Sequence, residues 1–219
     1  MKKKNIILVV LVTILIFVIS MNIYILYELN VIPHKKYSNS DFGIENYISS
    51  IDYDEDGIDD QSDILGGVRK YISTKPKYKS QYYTGGYSND EYGVCTDVVA
   101  NGLVNAGYDL MELVNSHIEY NRDLYDIEKI DKNIDFRRVQ NLKVYFKSTA
   151  IELTTNVYDI EKWQGGDIVI FDKHIGIVSD KRNKRGIPFL IHHSNPYQVH
   201  YEEDVLEDRD DIVGHYRIS

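Results

Sequence analysis

The chain has 219 residues, a formal net charge of -9 at pH 7, 43% hydrophobic residues and 27% charged residues. These proportions exclude a wholly disordered or collagen-like chain, and they fit one globular domain with a sizeable core. The acidic balance argues against nucleic-acid binding, because most of the surface would repel a phosphate backbone. The single cysteine, Cys95, excludes an intramolecular disulfide framework and a cysteine-rich zinc module.

Residues 1–30 have the pattern of a transmembrane signal anchor. An apolar run from Ile6 to Tyr27 follows three lysines, and as a helix it would span about 33 Å, roughly one hydrocarbon core. The basic flank predicts a cytoplasmic N-terminus and an extracytoplasmic remainder. A cleaved signal peptide is the alternative, although no small-x-small cleavage motif follows the run. Residues 31–50 are polar, contain Pro33 and predict a stalk.

An acidic loop opens the extracytoplasmic domain, which is predicted to span residues 51–219. Five aspartates and one glycine fall at positions 1, 3, 5, 6, 9 and 12 of a calcium-loop template: Asp52, Asp54, Asp56, Gly57, Asp60 and Asp63. Because position 12 is Asp rather than the longer Glu, the expected affinity for Ca²⁺ is modest, yet a millimolar site would be filled outside a cell. The alternative is a solvated acidic turn that caps the next helix.

The remaining pattern predicts helices first and antiparallel strands last, which is an α+β arrangement. One helical face is predicted around Ile64–Ile72, and a Tyr- and Gly-rich loop leads from it to Cys95. A second helix is predicted to begin at Cys95 and to stop at Gly107, and Asp109 and Asp135 are predicted to cap two more. The predicted strands are 168–171, 174–179, 187–192 and 212–217, with a hairpin loop at 180–186.

Cys95, His174 and His192 are the candidate catalytic residues. At a helix N-terminus, unpaired N–H groups and the helix dipole are expected to lower the pKa of the Cys95 thiol and to hold an oxyanion. His174 begins one predicted strand and His192 ends the next, so antiparallel pairing predicts that His192 orients His174. This arrangement is that of a cysteine–histidine triad. The alternatives are a buried structural thiol and two polar residues at strand ends.

Three stretches resemble NlpC-type papain-like cysteine peptidases of bacterial cell walls: YGVCTDVVANGLVNAGYDL, WQGGDIVIFDKHIGIVSD and FLIHHSNP. A more specific resemblance is to the bacterial family known as domain of unknown function 1287, through DGIDDQSDIL, GVCTDVV, NIDFRRVQNL, GGDIVIF and HIGIVSD. It covers about residues 50–219. It implies a papain-like fold, Cys95 as nucleophile, His174 as base, His192 as orienter, peptidoglycan peptides as substrate and no cofactor for catalysis. His193 and Asn195 are alternative orienters. The usual D-C-S-G around the nucleophile is replaced by V-C-T-D, so the substrate groove is expected to differ.

Tyr92, Asp97, Arg137 and Arg138 are the candidate substrate-binding residues. Tyr92 belongs to the tyrosine-rich loop, which is suited either to line a carbohydrate or peptide groove or to pack over the domain, as is expected for most of its tyrosines. Asp97 is expected either to cap its helix or to recognise a cationic group such as a free amine. Arg137 and Arg138 follow Asp135 in a predicted first helical turn, where cations are unfavourable, so one is a candidate for binding a substrate carboxylate. An internal salt bridge is the alternative.

The sequence therefore predicts a membrane-anchored, outward-facing cysteine amidohydrolase of papain-like α+β fold, with a structural calcium ion. Its predicted substrate is peptidoglycan or another peptide or amide. Two other functions stay open. One is a hydrolase or acyltransferase that acts on a different amide or thioester, and the other is a non-catalytic, calcium-stabilised binding domain at the cell surface.

Overall fold

The computed structural model describes residues 3–218, and the chain divides into two compact units between residues 34 and 35. The first unit contains helix α1 (Lys3–Glu28), in which no described side chain is buried. This helix is long and apolar enough to cross a membrane. A helix that is apolar on all sides is stable only in apolar surroundings, so α1 is suited to be a membrane anchor or a signal sequence.

The second unit begins with helices, as predicted. Its α-helices within the described chain are α2 (Asp60–Ser73), α3 (Cys95–Asn105), α4 (Leu110–Tyr120), α5 (Lys132–Asp135) and α6 (Val139–Thr149). Asp109 caps α4 by accepting the Glu112 N–H, and the chain turns at Gly107 with φ of +79° after α3. Both boundaries confirm the predictions.

The predicted cap at Asp135 is wrong. Asp131 caps α5, and Asp135 is the last residue of that helix, with a buried carboxylate that accepts the Asp131 N–H at 2.7 Å. The following helix, α6, begins only after Arg138. Arg137 and Arg138 therefore lie between two helices rather than in a first turn, and the electrostatic argument for their function does not apply.

The second unit ends in an antiparallel sheet, which confirms the α+β prediction at this level. Its strands are β3 (Ile151–Glu152), β4 (Ile168–Phe171), β5 (Ile175–Arg182), β6 (Pro188–Ile191), β7 (Glu202–Glu203) and β8 (Ile212–Arg217), in the order β3-β8-β4-β5-β6-β7. Two short strands, β1 (Lys77–Tyr78) and β2 (Tyr92–Gly93), pair in parallel outside it. Strand β5 continues to Arg182, which pairs with Pro188, so the hairpin loop is shorter than the predicted 180–186.

Both faces of the sheet are covered. Ile168 and Ile170 of β4 pack in the main core with the helices, while Val169 and Phe171 pack in a second cluster that includes Trp163. Alternate side chains of a strand point to opposite faces, so each strand contributes to both clusters. This double burial explains why β4 is a continuous apolar run without a polar face.

The predicted stalk is wrong for residues 35–50, because they belong to the second unit. Tyr37 and Arg182 exchange backbone hydrogen bonds of 2.9 and 2.8 Å. Asn39 is buried, accepts a hydrogen bond from the Arg182 guanidinium and donates one to Gln164 at 3.0 Å. A buried guanidinium needs acceptors on several sides, and this segment supplies one of them. The segment is therefore part of the folded domain.

Helices α2 and α3 approach closely, and glycines make this possible. A methyl group at Gly102 would lie 2.6 Å from Val68 Cγ2 and 3.1 Å from the Ile64 carbonyl oxygen. A methyl group at Gly67 would overlap the Cβ atom of Asn105, whereas one at Gly66 would meet nothing within 4 Å. Of the two helix-weakening glycines, only Gly67 is therefore required by the packing of the helices.

We expect Gly67→Ala and Gly66→Ala to change stability in opposite directions. Gly67→Ala forces the two helices apart and should lower the free energy of unfolding by about 1–3 kcal/mol. Gly66→Ala removes a flexible residue from a helix and should raise it by about 0.5–1 kcal/mol. Urea unfolding of the two variants of the full chain measures both values. Equal midpoints would contradict the close approach of α2 and α3.

Candidate active site

Cys95 is the first residue of α3 and lies against β5. Its side chain is half-buried, and the backbone N–H groups of Ile175 and Thr96 are directed at its sulfur. Burial raises the pKa of the thiol to about 11, and these N–H groups offset only part of that effect. The predicted lowering of the Cys95 pKa is therefore wrong, because burial outweighs the helix N-terminus. The resting residue is a neutral thiol.

Two histidines and a glutamate form a hydrogen-bonded series across neighbouring strands. His174 directly precedes β5, His192 directly follows β6, and Glu203 is the last residue of β7. His174 Nε2 is 2.8 Å from His192 Nδ1, and His192 Nε2 is 2.9 Å from Glu203 Oε2. The cross-strand contact between His174 and His192 is the one that the sequence predicted.

Burial controls the charge of all three groups. It lowers the pKa of His174 and of His192 to about 3, so both imidazoles are neutral at neutral pH. It raises the pKa of Glu203 to about 7. The Glu203 carboxyl group thus titrates in the neutral range, while the rings beside it do not.

The ionised form of Glu203 selects one tautomer of each ring. A carboxylate only accepts hydrogen bonds, so His192 Nε2 carries the proton that faces Glu203. His192 Nδ1 is then an acceptor, and it accepts a hydrogen bond from the Nε2–H group of His174. The remaining ring nitrogen of His174, Nδ1, is left with a free lone pair. This is the atom through which His174 can act as a base.

Sequence reasoning did not find Glu203. It lies in a strand of two residues and comes after a loop that has no periodic pattern, so no local signal marked it. The one available indication was that Glu203 lies in the strand that follows His174 and His192 in the sequence. Such a residue becomes a candidate only when the pairing of β6 with β7 is known.

The alternative orienters do not contact His174. The His193 ring packs between Tyr78 and Tyr201, at centroid distances of 5.2 and 5.1 Å. The exposed Asn195 side chain bonds to Ser194 and accepts the Tyr197 N–H. His192 is therefore the partner of His174.

The sulfur is close to His174 in the fold but does not contact its ring through a hydrogen bond. The Ile175 N–H that is directed at Sγ belongs to the residue next to His174. Within residues 3–218, no hydrogen bond joins Cys95 Sγ to either His174 or His192. The structure thus places His174 and His192 in contact, and it places the Cys95 thiol beside Ile175, the residue that follows His174.

Asp97 and Arg137 bind each other, so the prediction that they bind substrate is wrong. Arg137 donates to both oxygens of Asp97 at 2.6 and 2.8 Å, and each side chain is 2% exposed. Asp97 also accepts the Val94 N–H at 2.8 Å and so caps α3. Arg137 donates further to the Gly86 carbonyl at 3.1 Å. The pair joins the start of α3 to the tyrosine-rich loop and has no free group for a ligand.

Arg138 and Tyr92 remain accessible. The Arg138 side chain is 48% exposed and lies 3.9 Å from Asp135. Tyr92 is half-buried in β2, and the Lys79 ammonium lies 4.8 Å from its ring centroid. The role of both residues in substrate binding stays a prediction.

The acidic loop lies on another part of the second unit. Carboxylate oxygens of Asp52, Asp54 and Asp56 are all within 4.8 Å of one another. Asp60 and Asp63, the other predicted ligands, are buried in the first turn of α2 and fall outside this group.

Comparisons with known proteins concern most of the second unit. The family described as "Domain of unknown function (DUF1287)" matches residues 66–218. The chain is similar to an Escherichia coli (strain K12) protein named "Uncharacterized protein YijF", with 36% identity over 167 residues that cover 70% of this chain and 80% of the relative. No solved structure matches. The matched range includes Cys95, His174, His192 and Glu203 and begins after the acidic loop.

Removing one partner of the Asp97–Arg137 pair should destabilise the protein strongly. Arg137→Met leaves the Asp97 carboxylate buried without its countercharge, which costs about 3–5 kcal/mol. The matched control is Arg138→Met, which removes an exposed neighbouring charge and should change stability by less than about 0.5 kcal/mol. Thermal and urea unfolding of the full chain measure both effects. Equal stability of the two variants would contradict a structural role for the pair.

Proposed function

The chain belongs to the family known as domain of unknown function 1287, and from its site we propose that it is a membrane-anchored, extracytoplasmic cysteine amidohydrolase of papain-like fold. The observation that carries the proposal is the series His174–His192–Glu203 beside the Cys95 end of α3. It supplies a neutral base with a defined free nitrogen next to the one thiol of the chain. The resemblance of the surrounding motifs to NlpC-type peptidases supports the same chemistry.

The first step is attack by Cys95 Sγ on an amide carbonyl carbon. Because the thiol and both rings are neutral at rest, the Sγ proton moves to His174 Nδ1 as the sulfur–carbon bond forms. The carbonyl π electrons move to oxygen, where the Cys95 N–H at the start of α3 is suited to stabilise them. This step requires His174 Nδ1 to come within hydrogen-bond distance of Sγ, a contact that often tightens only when substrate binds.

The second step releases the amine. The carbonyl double bond re-forms, the carbon–nitrogen bond breaks, and His174 gives its proton to the departing nitrogen. A thioester on Cys95 remains. Water, deprotonated by His174 Nδ1, attacks this thioester, and release of the acid returns the proton to the thiolate. Throughout, the carboxylate of Glu203 keeps His192 in the tautomer that accepts from His174.

The substrate class follows from motif resemblance and location. The lysines at positions 2–4 of the sequence favour a cytoplasmic N-terminus, so α1 as a single-pass anchor would place the second unit outside the membrane. Outside the membrane, a cell-wall enzyme meets the peptide bonds of peptidoglycan. We infer this substrate class by analogy with the peptidases that the sequence motifs resemble. With Asp97 and Arg137 bound to each other, Tyr92 and Arg138 are the remaining candidates for contacts with such a peptide.

A non-catalytic binding domain is the second candidate function. Two observations favour it: burial raises the pKa of Cys95 to about 11, and within residues 3–218 no hydrogen bond joins its sulfur to His174. In that case Cys95 packs as a structural thiol against the core.

Incubation of the full-length protein with purified peptidoglycan fragments tests the proposal. We expect mass spectrometry to detect a cleaved peptide bond, Cys95→Ala to abolish cleavage, and His174→Ala to lower the rate by about 10²–10⁴-fold. Asn195→Ala, which alters the exposed alternative orienter, should retain activity. Intact fragments together with hydrolysis of a simple thioester would remove the cell-wall substrate and leave the nucleophile. No hydrolysis, with no alkylation of Cys95 by iodoacetamide, would favour the binding domain.

The protonation state of Glu203 should set the pH dependence of the rate. Burial raises the pKa of Glu203 to about 7 in the free protein, and only its ionised form selects the productive tautomers, so kcat/KM should rise as the pH rises through about 7. Glu203→Gln removes this charge and should lower kcat by about 10²-fold, with KM little changed. The control is Glu202→Gln, because Glu202 bonds to Ser179 and Lys36 rather than to a histidine. A Glu203→Gln variant with an unaltered pH profile would exclude this role.

A further inference from the structure

The acidic loop gathers negative charge that other residues do not compensate. Carboxylate oxygens of Asp52, Asp54 and Asp56 lie within 4.8 Å of one another. Asp52 is oriented by the N–H groups of Asp56 and Gly57, at 3.1 and 2.9 Å. Among residues 3–218, no lysine or arginine forms an ion pair with these three carboxylates.

Asp63 adds a separate observation from the buried side of the loop. Its side chain is 5% exposed; Oδ1 accepts a hydrogen bond from the Asn105 amide, and Oδ2 has no hydrogen-bond partner in the described chain. Asp63 lies in the first turn of α2, which directly follows the loop. A buried carboxylate oxygen without a donor is costly, and a cation would satisfy it.

The position of the loop beside α3 increases the need for positive charge. After α3 the chain turns at Gly107, where a methyl group would lie 2.7 Å from Asp54 Cβ and 3.2 Å from Tyr53 Cδ1. The C-terminal end of a helix carries partial negative charge. Carboxylates placed there are repelled by the helix and by one another, and a bound cation would relieve both repulsions.

We propose that Asp52, Asp54 and Asp56 bind one Ca²⁺ ion, and that Asp63, which lies outside their 4.8 Å group, turns its unpartnered Oδ2 toward the ion when it binds. The donors are all carboxylate oxygens, which suit a hard cation and exclude a soft-metal site that would need histidine or cysteine. Ca²⁺ takes six to eight oxygens in flexible geometry, so these four carboxylates, together with backbone carbonyls and water, are sufficient for it.

Asp60 is not among the ligands, which corrects the sequence-based set. One of its oxygens accepts the Tyr53 N–H at 2.8 Å, and the other accepts the Tyr108 hydroxyl. Asp60 is 1% exposed and thus fixes the loop to the residues that follow α3. Asp60 therefore occupies a ligand position of the calcium-loop template, but its carboxylate serves these hydrogen bonds instead.

The ion would join two helices. Asp63 belongs to the first turn of α2, and its partner Asn105 is the last residue of α3. Binding at the loop therefore holds α2 against the C-terminal end of the helix whose first residue is Cys95. The inference does not depend on hydrolysis, because binding at this loop needs none of the candidate catalytic residues.

Terbium luminescence of the full-length protein in a non-ionic detergent tests the site. Tb³⁺ replaces Ca²⁺ and emits when nearby tyrosines are excited; Tyr53 lies within the loop and stacks on Tyr108 at 4.2 Å. After chelator treatment, we expect Tb³⁺ emission that Ca²⁺ displaces and that equimolar Mg²⁺ does not. Ca²⁺ at ten times its Kd should also raise the Tm by about 3–6 °C.

Three variants locate the ion. Asp56→Asn, at an exposed position, and Asp63→Asn should each weaken Ca²⁺ binding by about tenfold or more. Asp126→Asn removes an exposed carboxylate elsewhere and should leave binding unchanged. Emission that Ca²⁺ does not displace, equal displacement by Mg²⁺, or an equal loss in Asp126→Asn would overturn the proposal. Because Asp56 is exposed, its variant keeps the test decisive even if Asp63→Asn does not fold.

Discussion

The packing of α3 is the constraint on which the rest of the second unit depends. Gly67 and Gly102 allow α2 and α3 to approach to a distance that any larger residue would prevent. The N-terminal end of α3 then lies against β5, so that the Ile175 N–H is directed at the Cys95 sulfur. At its C-terminal end, Asn105 holds Asp63. One helix of 11 residues thus carries the candidate nucleophile at one end and a contact with the acidic loop at the other.

Burial, more than local charge, sets the chemistry of the candidate active site. A helix N-terminus favours a thiolate, but at Cys95 desolvation is the larger effect and keeps the thiol neutral. The same effect keeps His174 and His192 neutral and brings the pKa of Glu203 to about 7. A preformed thiolate–imidazolium pair therefore does not fit this site. In the proposed reaction, the sulfur proton would therefore have to move to His174 as the sulfur–carbon bond forms.

Features that depend on neighbouring residues could be predicted from the sequence, and features that depend on distant contacts could not. The cap at Asp109, the turn at Gly107 and the alignment of His174 with His192 follow from local patterns and from the pairing of adjacent strands. The Asp97–Arg137 pair and the contact of Glu203 with His192 could not be predicted, because no helical or strand repeat in the sequence relates the partners. The sequence does not distinguish a charged residue that binds a substrate from one that pairs with a buried countercharge. Only the fold shows whether its side chain is exposed to solvent.

The two proposed sites differ in how they relate to the family. The match over residues 66–218 contains the histidine series and excludes the loop from Asp52 to Asp63. The family match therefore covers the candidate catalytic residues and does not cover the acidic loop. Helix α3 connects the two sites, and an ion bound near its C-terminal end would limit the movement of Cys95 relative to β5. Calcium would then affect the positioning of the sulfur, while Glu203 would affect the protonation of the base.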